Sequence, residues 1–583
     1  MHTFNNLKKL ARQHCNGTPI RVALLGDTAT QFLAVAMRGT AVSLGLNLEL
    51  WEADYSQVER QLQDPTSELY SFEPQYIVVY QSSHKWCQLH ASFASNQQAT
   101  LADERLQFLN NVCASTSARI IYTNYAEIDD TVFGSFANRV ETSFIYQQRK
   151  MNYKLMRLAQ RTPNLFICDL AAVQSQLGRN QMFDVAIYTS TEMVLSLNAV
   201  PHVAKRVLDI VAATQGKIMK CLIVDLDNTL WGGVIGDDGL EGIQLGHALG
   251  IGKVYTELQL WLKKLKERGI ILCVCSKNDE ATARIPFEQH PDMVLKTDDI
   301  AVFMANWETK VDNIRHIQQV LNIGFDSMVF LDDNPAERQI VRDNIAGITV
   351  PELPDDPALW LEYLYSECLF EAASNSSTDQ DRTRLYQEQA QRVQFARSFI
   401  NEADFLTSLD MTCRVEGFTA FNTPRVAQLT QRSNQFNLRT TRYTEADITA
   451  LATDPQVIGL AFLLKDKFGD NGLIAVVVMR GLDIDTLFVD TWLMSCRVLK
   501  RSMEAFTLNT MVQVARKQGY KRIVGQYLHT SKNAMVKDLY PTLGFTPLKD
   551  KTPLCQTSDN HSDDISYYEL MLDKFTPLPC YIK

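Results

Sequence analysis

Residues 220–229 read KCLIVDLDNT, a short apolar run that passes directly into two carboxylates one residue apart. Such a run suits a strand buried on both faces of a parallel sheet. Two carboxylates one residue apart can both address one pocket where the strand ends and the backbone turns, which places Asp225 and Asp227 at that point. In open α/β sheets that place is the carboxyl edge, where ligands bind. The run therefore fixes a sheet, an edge and a pair of acids together.

Later segments bring compatible groups to the same edge. FLDDNP ends a strand with Asp332 and Asp333, VCSKND ends another with Ser276, and ETKVDNI sets Lys310 just before a helix. Thr229 completes the pattern Asp225-x-Asp227-x-Thr229. Converging hard oxygen ligands suit Mg²⁺ better than zinc. Phosphoryl transfer also needs cations and hydroxyl donors for the non-bridging oxygens. An isolated pair of aspartates is more often a solvated turn, but four such elements in order at strand ends and a helix start point to one centre.

This order resembles the haloacid dehalogenase superfamily. The resemblance implies that Asp225 attacks phosphorus and carries an aspartyl-phosphate, while Asp227 protonates the leaving group and then activates water. Thr229, Ser276 and Lys310 would bind phosphate, Lys310 also restraining Asp225. The implied metal is Mg²⁺, held by Asp225, Asp332 and the backbone carbonyl of Asp227, with Asp333 close behind. About 46 residues separate Thr229 from Ser276, much of it helical, which leaves room for only a minimal cap.

Longer stretches are more particular. DLDNTLWGGVIGDDGLEGIQLG, VCSKNDE and FLDDNPAER closely resemble FkbH-like proteins of polyketide pathways, as do LTQRSNQFNLRTTRYT (429–444), KFGDNGLI (467–474) and MSCRVLKRSMEAF (494–506). That family implies removal of a glyceryl unit from 1,3-bisphosphoglycerate and its loading, through an enzyme thioester, on the phosphopantetheine arm of an acyl carrier protein. Cys496 is the expected thioester residue, because the neighbouring Arg497 would favour its thiolate; Cys275 is the competitor, and His529 a candidate base. The region after residue 400 is also similar to the acetyltransferase-like (GNAT) fold. Its acyl-CoA members carry R/Q-x-x-G-x-G/A, and here Arg497–Ser502 replaces both glycines, which would obstruct close approach of a pyrophosphate.

The first ~215 residues alternate apolar runs at 20–26, 75–81, 119–124 and 164–170 with helical stretches, the pattern of a doubly wound α/β domain. LLGDTAT resembles the start of SGNH-type hydrolases, with Asn124 and His202 as later partners. Thr28 replaces the nucleophilic serine and no acid stands three residues before His202, so a non-catalytic domain is expected. The predicted architecture is thus a multidomain α/β chain. An SGNH-like domain spans 1–215, a HAD-like Rossmannoid domain 216–372, and a linker helix with a GNAT-like α+β domain 373–583; polar SNSSTDQ (374–380) reads as surface linker.

Bulk properties narrow the partners. The net charge of −10 disfavours a nucleic-acid partner. No apolar run approaches ~18 residues, so no membrane span is expected. The N-terminus lacks a signal-like apolar core, and twelve cysteines without scaffold or metal spacing fit a reducing cytoplasm. Two function classes follow: acyl transfer to a carrier protein coupled to dephosphorylation, or a phosphatase acting on a soluble phosphorylated metabolite with the outer domains serving recognition.

Overall fold

A computed structural model describes residues 2–374, 382–396, 398–530, 532–548 and 565–583. The chain forms two compact units, Met1–Gln215 and Gly216–Lys583. In the first, β1 (Ile20–Gly26), β2 (Leu48–Glu52), β3 (Tyr76–Tyr80), β4 (Arg119–Thr123) and β5 (Leu165–Cys168) make a parallel sheet of order β2-β1-β3-β4-β5. Four of these match the predicted runs; β2, a half-buried edge strand, was not expected. Alternation along β1 builds two cores, with Val22 and Leu24 on one face and Ala23 and Leu25 on the other.

The strand order reverses between β1 and β3, the position at which such sheets open a crevice. Asp27 sits there, accepting the Ser82 N–H at 2.9 Å on each carboxylate oxygen. Burial pushes its pKa up to about 7. Thr28 is wholly buried and presents no hydroxyl to solvent. The Asn124 amide donates to Asp169 at 2.8 Å, its carbonyl accepting the Ala171 N–H, while His202 lies on the helix Ala199–Thr214.

The second unit holds two sheets. β6 (Cys221–Val224), β7 (Ile271–Ser276), β8 (Ile300–Ala305) and β9 (Met328–Leu331) are parallel in the order β8-β7-β6-β9. All four residues of β6 are buried, as a central parallel strand requires. Leu222 and Val224 pack with Leu258 and Leu262 of the helix Ile251–Glu267. Cys221 and Ile223 pack on the opposite face with Ile314 and Ile317 of the helix Lys310–Leu321.

β10 (Thr412–Glu416), β11 (Val457–Asp466), β12 (Gly469–Gly481), β13 (Thr486–Met494), β14 (Arg522–Leu528), β15 (Thr546–Pro547) and β16 (Ile565–Met571) form a mixed sheet of order β10-β11-β12-β13-β14-β16-β15. Only β13 and β14 pair in parallel. The helix Met503–Lys517 packs against β14, giving the α+β architecture expected. Among the described residues no helix is long and apolar enough to cross a membrane.

The predicted linker helix is present as Arg382–Ala396, but it does not belong to the last domain alone. Tyr386 enters the core beneath β6, and Gln387 donates to the carbonyls of Asp298 and Ile300. Nearly two turns beyond Tyr386, Arg392 donates to Asp466 at 2.9 Å, and Arg501 reaches the other oxygen of that carboxylate at 3.2 Å. The linker segment itself, apart from Ser374, lies outside the described residues.

The Asp466 side chain is wholly buried, so it is the counter-charge for two buried guanidinium groups. Burial, reinforced by Arg392, lowers the Arg501 pKa to about 9. Breaking such a pair from one side costs about 3–5 kcal/mol. Asp466→Asn is expected to lower the urea midpoint of the second unit accordingly; a shift below about 1 kcal/mol would contradict the assigned role.

Candidate active site

The chain leaves β6 at Asp225, whose N–H still bonds Leu331 of β9 at 3.0 Å. It then turns tightly, Thr229 and Leu230 both donating back to the Leu226 carbonyl. Asn228 takes the left-handed backbone of this turn (φ 52°) and accepts the Gly233 N–H at 2.9 Å. The turn brings Thr229 within 3.2 Å of Asp333, to which its hydroxyl donates.

Lys310 arrives from β8 as the first residue of its helix, where Thr309 caps the start by accepting the Asp312 N–H. Its ammonium is buried, 2.8 Å from Asp225 and hydrogen-bonded to Asp332. Burial disfavours this charge, but Asp225 and Asp332 outweigh it and hold its pKa above the ordinary lysine range. Asp332 is fully buried, with its pKa displaced upward by burial and then by Asp225, against the pull of Lys310.

Carboxylate oxygens of Asp225, Asp332 and Asp333 lie within 4.8 Å of one another. Three carboxylates against one ammonium leave two negative charges in a largely buried cluster. Burial of each unbalanced charge costs several kcal/mol, so a divalent cation is the natural complement. Asp225 Oδ1 is buried and accepts no hydrogen bond among the described residues, as a vacant ligand or nucleophilic oxygen would be. The donor set is all oxygen and fits Mg²⁺.

Asp227 was expected to offer a metal its backbone carbonyl, and its side chain is engaged elsewhere. Its side chain is turned away from the cluster, accepting from Trp231 Nε1 at 2.9 Å, the Ile235 N–H at 3.0 Å and Asn278 Nδ2 at 2.9 Å. Asp333 takes its place among the clustered carboxylates, and only the Asp227 carbonyl remains a candidate ligand from that residue. Burial, opposed by these hydrogen bonds and aided by Asp225, raises the Asp227 pKa. Ser276 is buried at the end of β7, the neighbour of β6.

Three supporting residues were not singled out from the sequence. Arg338 donates to the carbonyls of Asp332 and Asp333 at 2.9 and 2.7 Å and pairs with Glu352 at 2.7 Å. Asn278 and Trp231 fix Asp227. Arg338 stands in the quoted FLDDNPAER and Asn278 in VCSKND, but nothing in their spacing shows that each reaches back over a strand end.

At the second candidate centre, Cys496 opens a single helical turn, Cys496–Val498; its side chain lies outside the described residues. Arg497 is buried, its guanidinium 5.9 Å from the Tyr386 ring. Lys500 and Ser502, where the acyl-CoA pattern has glycine, keep positive φ of 61° and 55°. Cys275 is wholly buried and burial pushes its thiol pKa up, which removes the thiolate a nucleophile needs. His529 is exposed, its Nδ1 3.1 Å from the Tyr527 hydroxyl.

Comparison with known proteins bears on both halves of the chain. A family model described as FkbH, N-terminal domain, matches residues 21–212. The crystal structure of the N-terminal part of BF1531 from Bacteroides fragilis, containing a phosphatase domain complexed with Mg, is 57% identical, covering 64% of this chain and 100% of its own at a TM-score of 0.63. A domain from Methanocaldococcus jannaschii aligns at 13% identity over 28% of this chain and 99% of its own, with a TM-score of 0.22. The Escherichia coli ribosomal-protein-S18-alanine N-acetyltransferase aligns at 13% identity over 28% of this chain and 94% of its own, with a TM-score of 0.21. These last two scores are too low to carry functional weight. No curated protein matches. With more than half its residues identical to those of BF1531 over the whole length of that structure, and with the Asp225 cluster at the sheet edge, this chain belongs to the FkbH family and carries a haloacid-dehalogenase-type phosphatase domain.

Proposed function

We propose that the Asp225 centre is a Mg²⁺-dependent phosphatase working beside a thioester-forming acyl transfer on the same chain. The observation that carries the first half is the buried, unpartnered Asp225 Oδ1 within three carboxylates and one lysine. The Mg in the Bacteroides fragilis relative supports the choice of ion. Mg²⁺ bound by Asp225 and Asp332, with Asp333 beside them, would offset the repulsion between carboxylate and phosphate.

Lys310 holds one oxygen of Asp225, which orients the other toward phosphorus. As that oxygen bonds to phosphorus, the bond to the leaving oxygen breaks and Asp227 supplies its proton. Trp231 and Asn278 hold Asp227 for this step, and its raised pKa favours the protonated form that an acid needs. Asp227 then takes a proton from water, whose oxygen attacks phosphorus and releases phosphate and free Asp225. Thr229, Ser276 and Lys310 are the candidate donors to phosphoryl oxygens.

For the second half, the Cys496 thiolate would attack the acyl-phosphate carbonyl of 1,3-bisphosphoglycerate. A carbon–sulfur bond forms as the acyl carbon–oxygen bond breaks and inorganic phosphate leaves; the phosphate ester that remains on the glyceryl thioester is a substrate for the Asp225 centre. The thiol of a carrier protein's pantetheine arm then displaces Cys496, which takes up the proton released. Family membership supports this reading, as does the crowding of Arg392, Arg497 and Arg501 around the loop that bears Cys496, since nearby cations favour a thiolate.

Asp225→Asn is expected to reduce phosphate release from a simple phosphoester roughly 10³-fold or more, with circular dichroism unchanged. Wild-type turnover in that variant would remove Asp225 from the role of nucleophile. Chelation by EDTA should stop turnover and added Mg²⁺ restore it, while Asp332→Ala should raise the Mg²⁺ concentration needed; activity indifferent to both would contradict the metal assignment.

Cys496→Ala should leave phosphoester hydrolysis largely intact and abolish the glyceryl mass increment on enzyme and carrier after mixing with bisphosphoglycerate. Retention of a hydroxylamine-sensitive increment would move the thioester elsewhere. Brisk phosphate release with no mass gain in wild type would favour the metabolite phosphatase.

A further inference from the structure

Beneath the phosphatase sheet lies a cavity of about 700 Å³, walled on one side by the Asp225 domain and on the other by the last domain. Its phosphatase-side wall includes Lys220, just before β6, Ile271 at the start of β7, and the loop 322–327 before β9. These are the amino ends of the strands whose carboxyl ends carry Asp225, Ser276 and Asp332. A four-residue strand spans about 13 Å at roughly 3.3 Å per residue, so the sheet separates the two sites.

The opposite wall gathers three stretches far apart in sequence. Ser433 to Phe436, Asp470 to Leu473, and Met494 with Ser495 and Arg497 all line it. They belong to the three motifs of the last domain that stood out from the sequence, and the third contains Cys496. Seven lysine and arginine side chains line the cavity against two aspartates. Lys532 is paired with Asp326, Arg384 with Glu388, and Lys465 with Asp470, and Arg425 is hydrogen-bonded to Gln428, so the cations are held in place along a lining whose basic side chains outnumber its acidic ones. The lining also carries the side-chain amides of Asn434, Gln435 and Asn471.

Asn471 is 2% exposed; its amide donates to Asp466 at 3.1 Å, while its buried Oδ1 accepts no hydrogen bond among the described residues. Such an acceptor is costly to bury and marks a place for a ligand N–H.

Where the parallel strands of the mixed sheet diverge, the described residues leave the strand edges already paired. β13 and β14 stop pairing after Val489 and Gly525. The chain's own segment 436–438 fills the gap: Leu438 donates to Trp492, Met494 donates to Phe436, and Leu528 donates to Leu438. Asn533 clamps the segment by donating to the Asn437 carbonyl at 2.9 Å. Those strand edges are taken by the chain itself, whereas the cavity lining carries side-chain amides.

We propose that this cavity binds a phosphate-terminated, amide-bearing thiol arm of the phosphopantetheine type. The proposal rests on the acyl-transfer reading and gives its acceptor a site apart from Asp225. Cationic groups such as Arg425 would take the phosphate, and Asn471 Oδ1 would accept an amide N–H. At about 700 Å³ the cavity is larger than a three-carbon phosphate requires and lies within the range of organic-ligand sites.

Calorimetric titration of the full chain with 4′-phosphopantetheine, without any acyl donor, tests this independently of thioester formation. Saturable binding is expected, weakened at least tenfold in Arg425→Gln and in Asn471→Asp, and changed less than twofold in Asp332→Ala. Inorganic phosphate and 3-phosphoglycerate should bind at least tenfold more weakly. Melting curves establish that each variant is folded, and Arg425→Gln suffices if the Asn471 change disturbs Asp466. The assignment is overturned if wild type does not saturate, if folded Arg425→Gln binds as wild type, if Asp332→Ala alone loses binding, or if 3-phosphoglycerate binds as well. Binding as expected with no acyl loading would sink the transfer reading and leave the site standing.

Discussion

Lys310 is buried between two carboxylates at the end of a four-residue strand, and much of the phosphatase domain serves to keep it there. A lysine so placed pays a desolvation cost that only close, fixed counter-charges can offset. β6 and β9, paired in register, deliver Asp225 and Asp332 side by side, and the capped helix after β8 delivers the ammonium. The same cluster stays two charges short of neutrality, so what stabilises Lys310 also prepares the site for a divalent cation. Structure and chemistry are set by one electrostatic balance.

Around that balance stand residues with no charge to contribute to substrate. Trp231 and Asn278 turn the Asp227 side chain out of the cluster, and Arg338 ties down the backbone of Asp332 and Asp333 from behind. In the proposed mechanism this leaves Asp227 free to exchange a proton while Asp225 attacks. Two carboxylates one residue apart acquire different environments, which is how one strand end can provide both nucleophile and acid.

The phosphatase centre was legible because its residues sit at the ends of apolar strands or, for Lys310, at the start of a helix. The DxDxT turn, Ser276, Lys310 and Asp332 all carry that signal. The Asp227 side chain, Arg338 and Asn278 were harder, since their roles depend on which side-chain hydrogen bonds win after the chain has turned. β2, an edge strand reading LELWE, lacks the apolar run of a central strand; β8, at the edge of its own sheet, carries such a run in IAVFMA and was missed despite it. The helix Arg382–Ala396 was legible as a helix but not as a bridge: its pattern gives no hint that Tyr386 enters one core while Arg392, two turns along, secures the other. The seam cavity was the least legible, because three distant motifs meet there only after the mixed sheet has formed.

The most direct test of the account is the fate of Asp225 during turnover. Acid-quenched enzyme, reduced with borohydride and digested, should yield a peptide in which position 225 has become homoserine, the product of reducing an aspartyl-phosphate. The conversion should depend on substrate and Mg²⁺ and be absent from Asp225→Asn. Homoserine at another aspartate, or none under conditions where phosphate is released, would contradict the central claim.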